Sequence, residues 1–320
     1  MALKEAVMVK SDLDLGTGDV LELKAKTGES LLVKDVMIRG ATDEYVVFDI
    51  DRTTVGFFRV DGHYLGSHLM SSQFDLRGSS HLVSAAALKS PTLLNLLIER
   101  GWMRGYPVAE GQSFIVKPYD SSEKIGKCVI IYEKYDAGDI KATDPNGSEA
   151  KEYIFINYGR PQTDLTEAGD YEVKVPVTAK EFIDFPFGAS VPSKTTVEIL
   201  GILGSECVKF TSDTQYTNTK YLKLFKERTC LFDRDKYGLP FYQYTWSGMA
   251  AGYHFGRGFS VIGNYTQKDG RLPFIPPTPL VFSEGDEVKV YITAGQGDSA
   301  DTIDTKYAEI AFIERVKVGE

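Results

Sequence analysis

The stretch Pro279–Gly319, PLVFSEGDEVKVYITAGQGDSADTIDTKYAEIAFIERVKVG, reads as a second copy of Pro107–Gly138, PVAEGQSFIVKPYDSSEKIGKCVIIYEKYDAG. In the earlier copy Glu110-Gly111 precedes the alternating run Phe114, Val116; in the later one Glu284-Gly285 precedes Val288, Val290. Further on, Val129-Ile130-Ile131-Tyr132-Glu133-Lys134 is answered by Ile310-Ala311-Phe312-Ile313-Glu314-Arg315, and both copies close on a glycine, Gly138 and Gly319. Two more matches extend the duplication toward the N-terminus. Gly18-Asp19 before Val20–Leu23 corresponds to Gly169-Asp170 before Tyr171–Val175, and Val33–Gly40 corresponds to Val197–Gly204. The matches are collinear and their separation grows along the chain, the pattern of a duplicated domain whose loops have taken insertions.

Length leads to the same division. One hydrophobic core usually stops growing at roughly 250–300 residues, and this chain has 320. A hydrophobic fraction of 42% and a charged fraction of 25% are ordinary for a globular protein, and no apolar run approaches the ~20 residues that span a bilayer. A net charge of −9 argues against direct nucleic-acid binding, which concentrates Lys and Arg on one face. The opening Met1–Lys10 carries Glu5 and no apolar h-region, so no secretory signal is expected and the protein is expected to be made in cytosol. Cys128, Cys207 and Cys230 form no CxxC pair. Cys128 and Cys207 lie in apolar strand patterns, where a thiol behaves as a small buried hydrophobe.

Period-two alternation predicts strands at Val20–Lys26, Leu31–Ile38, Tyr45–Ile50, Thr54–Val60, Ser113–Lys117, Lys127–Tyr135 and Glu152–Tyr158 in the first half. One helix interrupts them over Thr92–Met103, where Leu93, Leu94, Leu96, Leu97 and Ile98 form a helical stripe that closes near Gly101 or Gly105. The polar run Gly159–Asp164 reads as a linker. The second half predicts strands at Tyr171–Val177, Thr195–Leu203, Cys207–Phe210, Tyr221–Phe225 and Thr229–Phe232, then a long aromatic, Gly- and Pro-rich connection from Tyr237 to Pro279. The expected organisation is an N-terminal arm over 1–15, a first domain over 16–160 and a second over 161–320. The fold class is all-β, with two tandem eight-stranded jelly-roll β-sandwiches and a short helix in an enlarged loop.

Candidate chemistry is sparse. His63, His68 and His81 cluster, but the His-x-His pair that a duplicated jelly roll of cupin type needs is missing. Asp12, Asp14, Gly16, Gly18 and Asp19 are spaced loosely like a calcium loop, yet Leu23 falls where the bidentate Glu belongs; a turn explains them better. Asp298, Asp301 and Asp304 read as a solvated hairpin, and His254–Phe259 lacks the GxGxxG spacing and context of a phosphate cradle. There is no Gly-x-Ser-x-Gly elbow or Ser-His-Asp grouping. No cofactor, metal or catalytic residue is therefore expected. The aromatic-rich connection and the flanks of the helix are left as interface candidates: Trp102, Trp246, Tyr253, Phe255 and Phe259.

A duplicated acidic chain of this size, with the Glu-Gly and strand motifs quoted above and enlarged loops, resembles the double jelly-roll major capsid proteins of tailless icosahedral viruses, especially phages with an internal membrane. The resemblance implies a non-enzymatic structural protein of the virion. In that family three copies form a trimer with a pseudo-hexagonal outline, and the partners are further copies, neighbouring capsomers, penton and minor capsid proteins and an internal membrane. It also implies that Met1–Lys10 faces inward, with Lys4 and Lys10 meeting neighbouring subunits or anionic lipid, and that 61–105 and 237–279 form tower or intersubunit loops. Two other readings stay open at this point: a carbohydrate-binding or carbohydrate-active β-sandwich, in which Trp246 and Tyr253 form a sugar platform, and a trimeric tail-fibre or baseplate component.

Overall fold

The computed structural model describes residues 3–39, 45–59, 93–140, 152–177, 184–187, 190–204, 219–232, 238–240, 263–264, 273–294, 305 and 308–319. The chain divides into two compact units that part between Ile154 and Phe155. The first holds β1 (Leu3–Thr17), β2 (Leu21–Lys24), β3 (Glu29–Arg39), β4 (Tyr45–Ile50), β5 (Thr53–Arg59), α1 (Leu93–Glu99), β6 (Tyr106–Val108), β7 (Ser113–Pro118) and β8 (Lys124–Asp136). The strands form two four-stranded antiparallel sheets, β1-β8-β3-β6 and β2-β7-β4-β5. Their facing sides carry alternate apolar residues: Val36, Cys128 and Ile130 from one, Leu21, Leu23, Val46, Phe48, Phe114 and Val116 from the other, all buried. The two sheets meet through an aromatic group in which Phe48 of β4 stands edge-on to Tyr106 of β6 at 5.7 Å and to Phe114 of β7 at 5.2 Å.

The helix is shorter than its apolar stripe predicts. Leu93, Leu94, Leu96 and Leu97 are buried, but the chain turns at Gly101, where φ is +71°. The Gly101 N–H donates to the Ile98 carbonyl at 2.9 Å and the Trp102 N–H to Leu97 at 3.0 Å. These two bonds close the helix in the Schellman arrangement, which favours glycine at the left-handed position.

The second unit holds β9 (Glu152–Pro161), β10 (Gly169–Pro176), β11 (Thr195–Gly204), β12 (Thr219–Lys226), β13 (Thr229–Cys230), β14 (Leu239–Pro240), β15 (Gly263–Asn264), β16 (Leu280–Phe282), β17 (Val288–Ala294) and β18 (Ile310–Val318). They form one sheet of order β13-β12-β17-β10-β9-β18-β11-β15, with β14 beside β12 and β16 beside β11. The two-residue β15 runs parallel to β11. The β9–β10 pairing joins two four-stranded blocks, β9-β18-β11-β16 and β10-β17-β12-β13. These repeat the pairings of the first unit strand for strand. The Glu152–Tyr158 strand, expected to close the first half, belongs by its pairing to the second.

The duplication reaches single hydrogen bonds. Glu110 accepts from the Gly28 N–H at 2.8 Å, and Glu284 accepts from the Lys194 N–H at 2.7 Å. Gly28 and Lys194 each stand just before a strand, β3 and β11, with φ of 81° and 56°. Gly111 donates to Ala25 at 3.0 Å and Gly285 to Val191 at 2.9 Å. The residue after each of these glycines turns its side chain back on the N–H three positions earlier: Gln112 on Ala109 at 3.0 Å, Asp286 on Ser283 at 2.7 Å. The Glu-Gly motif is thus a latch that fixes how β3 and β11 enter their sheets. Gly111 and Gly285 have φ of 82° and 81°, and a Cβ at either would meet nothing within 4 Å. Gly111→Ala and Gly285→Ala are therefore each expected to lower stability by about 1–2 kcal/mol through backbone strain alone, measured by urea unfolding.

The register of the repeat differs from the sequence match. Glu29 pairs with Asp136 where Thr195 pairs with Val318, so Cys128 corresponds to Ile310 and Tyr132 to Glu314. Both ladders carry a bulge at corresponding places, between Val33 and Asp35 and between Ile199 and Gly201. Matching Val129 to Ile310 is a slip of one residue. In a strand such a slip exchanges the two faces, and Cys128 and Ile310 are indeed both buried.

The largest departure is the N-terminus. Residues 1–15 were expected as an arm, yet Leu3–Thr17 is a strand at the edge of the first sheet. It lies antiparallel to β8 from Leu3 opposite Tyr135 to Thr17 opposite Lys124, with three register shifts. The apolar alternation Val7, Val9, Leu13, Leu15 carries this signal, although only Leu15 of these side chains is buried.

Candidate functional site

Two kinds of place could carry function: polar groups enclosed in the interior, and surfaces whose pairing capacity is unused. The enclosed groups lie on β9, β18 and the turn before it. Asn157 Nδ2 donates to Glu314 Oε2 at 2.7 Å and to the Phe185 carbonyl at 3.2 Å. Asn157 and Glu314 are both fully buried, and Glu314 Oε1 has no hydrogen-bond partner. Burial pushes the Glu314 carboxyl well above the ordinary carboxylate range; the Asn157 hydrogen bond opposes this, and the charge of Asp184 adds to it. Nearer the surface, Arg160 Nε donates to Glu309 Oε2 at 2.8 Å, pairing a buried carboxylate with a guanidinium whose side chain is 19% exposed.

This arrangement suits a packed interior better than a reaction. A general acid must reach a substrate, whereas Glu314 is fully buried with Asn157 as its hydrogen-bond partner. Among the described residues no group of three or more His, Cys, Asp and Glu side chains is placed to hold a metal ion. The four histidines and the aspartates 298, 301 and 304 lie outside the described residues. Asp12 and Asp19 make local bonds, accepting from the Asp14 N–H at 3.0 Å and the Gly16 N–H at 2.8 Å, but Asp12, Asp14 and Gly16, expected in a turn, lie within strand β1. Burial, with the charge of Asp12 adding to it, pushes the Cys128 thiol up to about 12. Its thiolate, the reactive form, is thereby suppressed.

Three of the surface candidates, Lys4, Lys10 and Trp102, lie among the described residues. Lys4, near the start of β1, forms an ion pair with Asp136 and reaches the Gly28 carbonyl at 3.4 Å. Lys10 lies opposite Ile130 in the same strand, exposed. Trp102 is half-buried just beyond α1. Trp246, Tyr253, Phe255 and Phe259 lie outside the described residues.

The surface feature not anticipated from composition is the free edge of β1. Among the described residues β1 pairs only with β8, and Leu3, Val7, Val9 and Leu13 are 50%, 72%, 56% and 61% exposed. A long edge strand with apolar side chains is a template for adding another strand. No protein-family model, curated protein or solved structure matches this chain.

Proposed function

We propose that this chain is a structural, non-enzymatic shell protein made of two tandem jelly rolls, three copies of which form a pseudo-hexagonal capsomer of an icosahedral virion. The observation that carries the proposal is the repeated strand order. In a jelly roll eight strands form two four-stranded sheets with the first strand beside the eighth and the second beside the seventh. The orders 1-8-3-6 and 2-7-4-5 of the first unit follow that scheme. The blocks 9-18-11-16 and 10-17-12-13 repeat it when β14 and β15 are set aside as insertions. Two such units in one chain give a trimer six similar domains, which is what a six-fold lattice place requires of a three-fold object. The suppressed Cys128 thiolate is in keeping with a scaffold role. Neighbouring capsomers, penton and minor capsid proteins and an internal membrane are the partners this reading supplies.

The experiment is sedimentation of the purified chain, with electron microscopy of the particles that contain it. The expected result is a species of three times the 35.5 kDa chain mass and capsomers of hexagonal outline. A monomer at all concentrations, with particles lacking such capsomers, overturns the proposal.

A further inference from the structure

We propose that the free edge of β1 is a docking edge for a second copy of this chain, the two β1 strands running antiparallel about a two-fold axis at Met8. The internal duplication supplies the first argument. The corresponding strand of the second unit, β9, has its outer edge covered by β10: Val173 lies opposite Pro161, Val175 opposite Arg160 and Pro176 opposite Gly159. β9 is buried over most of its length. In the first unit the strand corresponding to β10 is β2, which has four residues and pairs with β7 alone. The same place is thus covered by an antiparallel strand in one copy, while in the other no described strand covers it.

The sequence of β1 says what fits there. With Met8 opposite Met8 of the second copy, Leu3 falls opposite Leu13, Val7 opposite Val9 and Lys4 opposite Asp12. All four exposed large apolar side chains of β1 then meet one another, and Lys4, which pairs with Asp136 of its own chain, also comes to face an aspartate of the second copy. Directly opposed pairs of these kinds stabilise a sheet, whereas like charges oppose it. Shifting the axis to Lys10, the centre of the unbroken Met8–Asp12 register with β8, would set Lys10 against Lys10. An anionic lipid surface fits less well. Lys4 and Lys10 share the strand with Glu5, Asp12 and Asp14, so β1 carries no basic cluster of the kind that draws a chain to acidic headgroups.

This contact is separate from the three-fold association proposed above, and the two can fail separately. The test uses the full chain with Met8→Cys, oxidised at low concentration and mapped by mass spectrometry. The register predicts a disulfide-linked dimer through position 8, because only that residue faces its own copy. Val7→Cys and Lys10→Cys, which face Val9 and Ala6, are expected to cross-link at least tenfold less. Asp12→Lys, which brings two lysines together, should weaken self-association at least tenfold, and Lys4→Asp with Asp12→Lys should restore it. Equal cross-linking at positions 7, 8 and 10, or none at 8, overturns the register. Co-sedimentation with phosphatidylserine vesicles that is lost in Val7→Asp, without the disulfide at position 8, overturns it in favour of a membrane. A trimer without the position-8 disulfide removes this contact and leaves the shell reading standing; a linked dimer without trimers does the reverse.

Discussion

Phe48→Ala is expected to remove about 3–5 kcal/mol from the stability of the first unit, the range found when a large buried aromatic is truncated and the site cannot collapse. Phe48 is fully buried and lies directly across from Gly56 in the β4–β5 ladder. Gly56 has no side chain to fill the gap, and one could not be added cheaply: a Cβ there would stand 2.7 Å from the Tyr106 hydroxyl. The rings around Phe48 come from three strands and both sheets, Phe58 at 5.0 Å, Phe114 at 5.2 Å and Tyr106 at 5.7 Å. Removing the central ring therefore takes one contact from each of three others at once, and strand backbones held by ladders on both sides cannot close the space. Since a domain is stable by only about 5–15 kcal/mol, the variant should unfold at far lower urea than the parent. Phe48→Leu, which keeps most of the volume, should lose less than half as much. A loss below about 1 kcal/mol for Phe48→Ala would mean that the two sheets of the first unit are not held together through this ring.

Much of this architecture was legible in the sequence, at the level of strands rather than residues. All four motif matches fall on strands that pair alike in the two units: β2 with β10, β3 with β11, the turn before β7 with the turn before β17, and β8 with β18. The Glu-Gly turn was legible because its chemistry is local: a left-handed glycine and a carboxylate that accepts one backbone N–H. Residue register was not. A bulge such as that between Val33 and Asp35 leaves no mark in an alternating apolar run, and each one shifts the faces beyond it. β1 was mistaken for an arm because its charged and exposed residues resemble a solvated tail, and pairing with β8, more than a hundred residues later, cannot be seen locally. Glu314 was hidden for the opposite reason. The sequence matches it to Glu133, which is half-buried, whereas the structure puts it where Tyr132 stands in the first unit, facing inward beside Asn157.

That inward acid gives the other large effect expected, a reversal of relative stability between Glu314→Gln and the parent as pH rises. In the unfolded chain the carboxyl titrates near 4.3; in the folded chain burial holds it well above that, so it keeps its proton over a wider range. Above the unfolded value folding then takes up a proton. Stability contributed by the protonated acid is intact below pH 4, and it falls by about 1.4 kcal/mol per pH unit until the folded value is passed. Glutamine has the same shape and no titration. It retains an acceptor for Asn157, but its amide puts two hydrogens where the protonated acid puts one and where Glu314 Oε1 finds no partner, and the additional unpaired donor costs about 1–3 kcal/mol. The variant should therefore be the less stable protein at pH 4 and the more stable one at pH 8. Glu284 and Asp286 shift the other way: the Lys194 N–H holds Glu284 low and Lys226 holds Asp286 low. Their contribution is present above their unfolded values and is lost in acid in both proteins alike, so the difference between the two urea-unfolding curves isolates Glu314. Parallel curves from pH 4 to pH 8 would mean that Glu314 titrates as an ordinary surface carboxylate, and that the interior of the second unit admits water to β18.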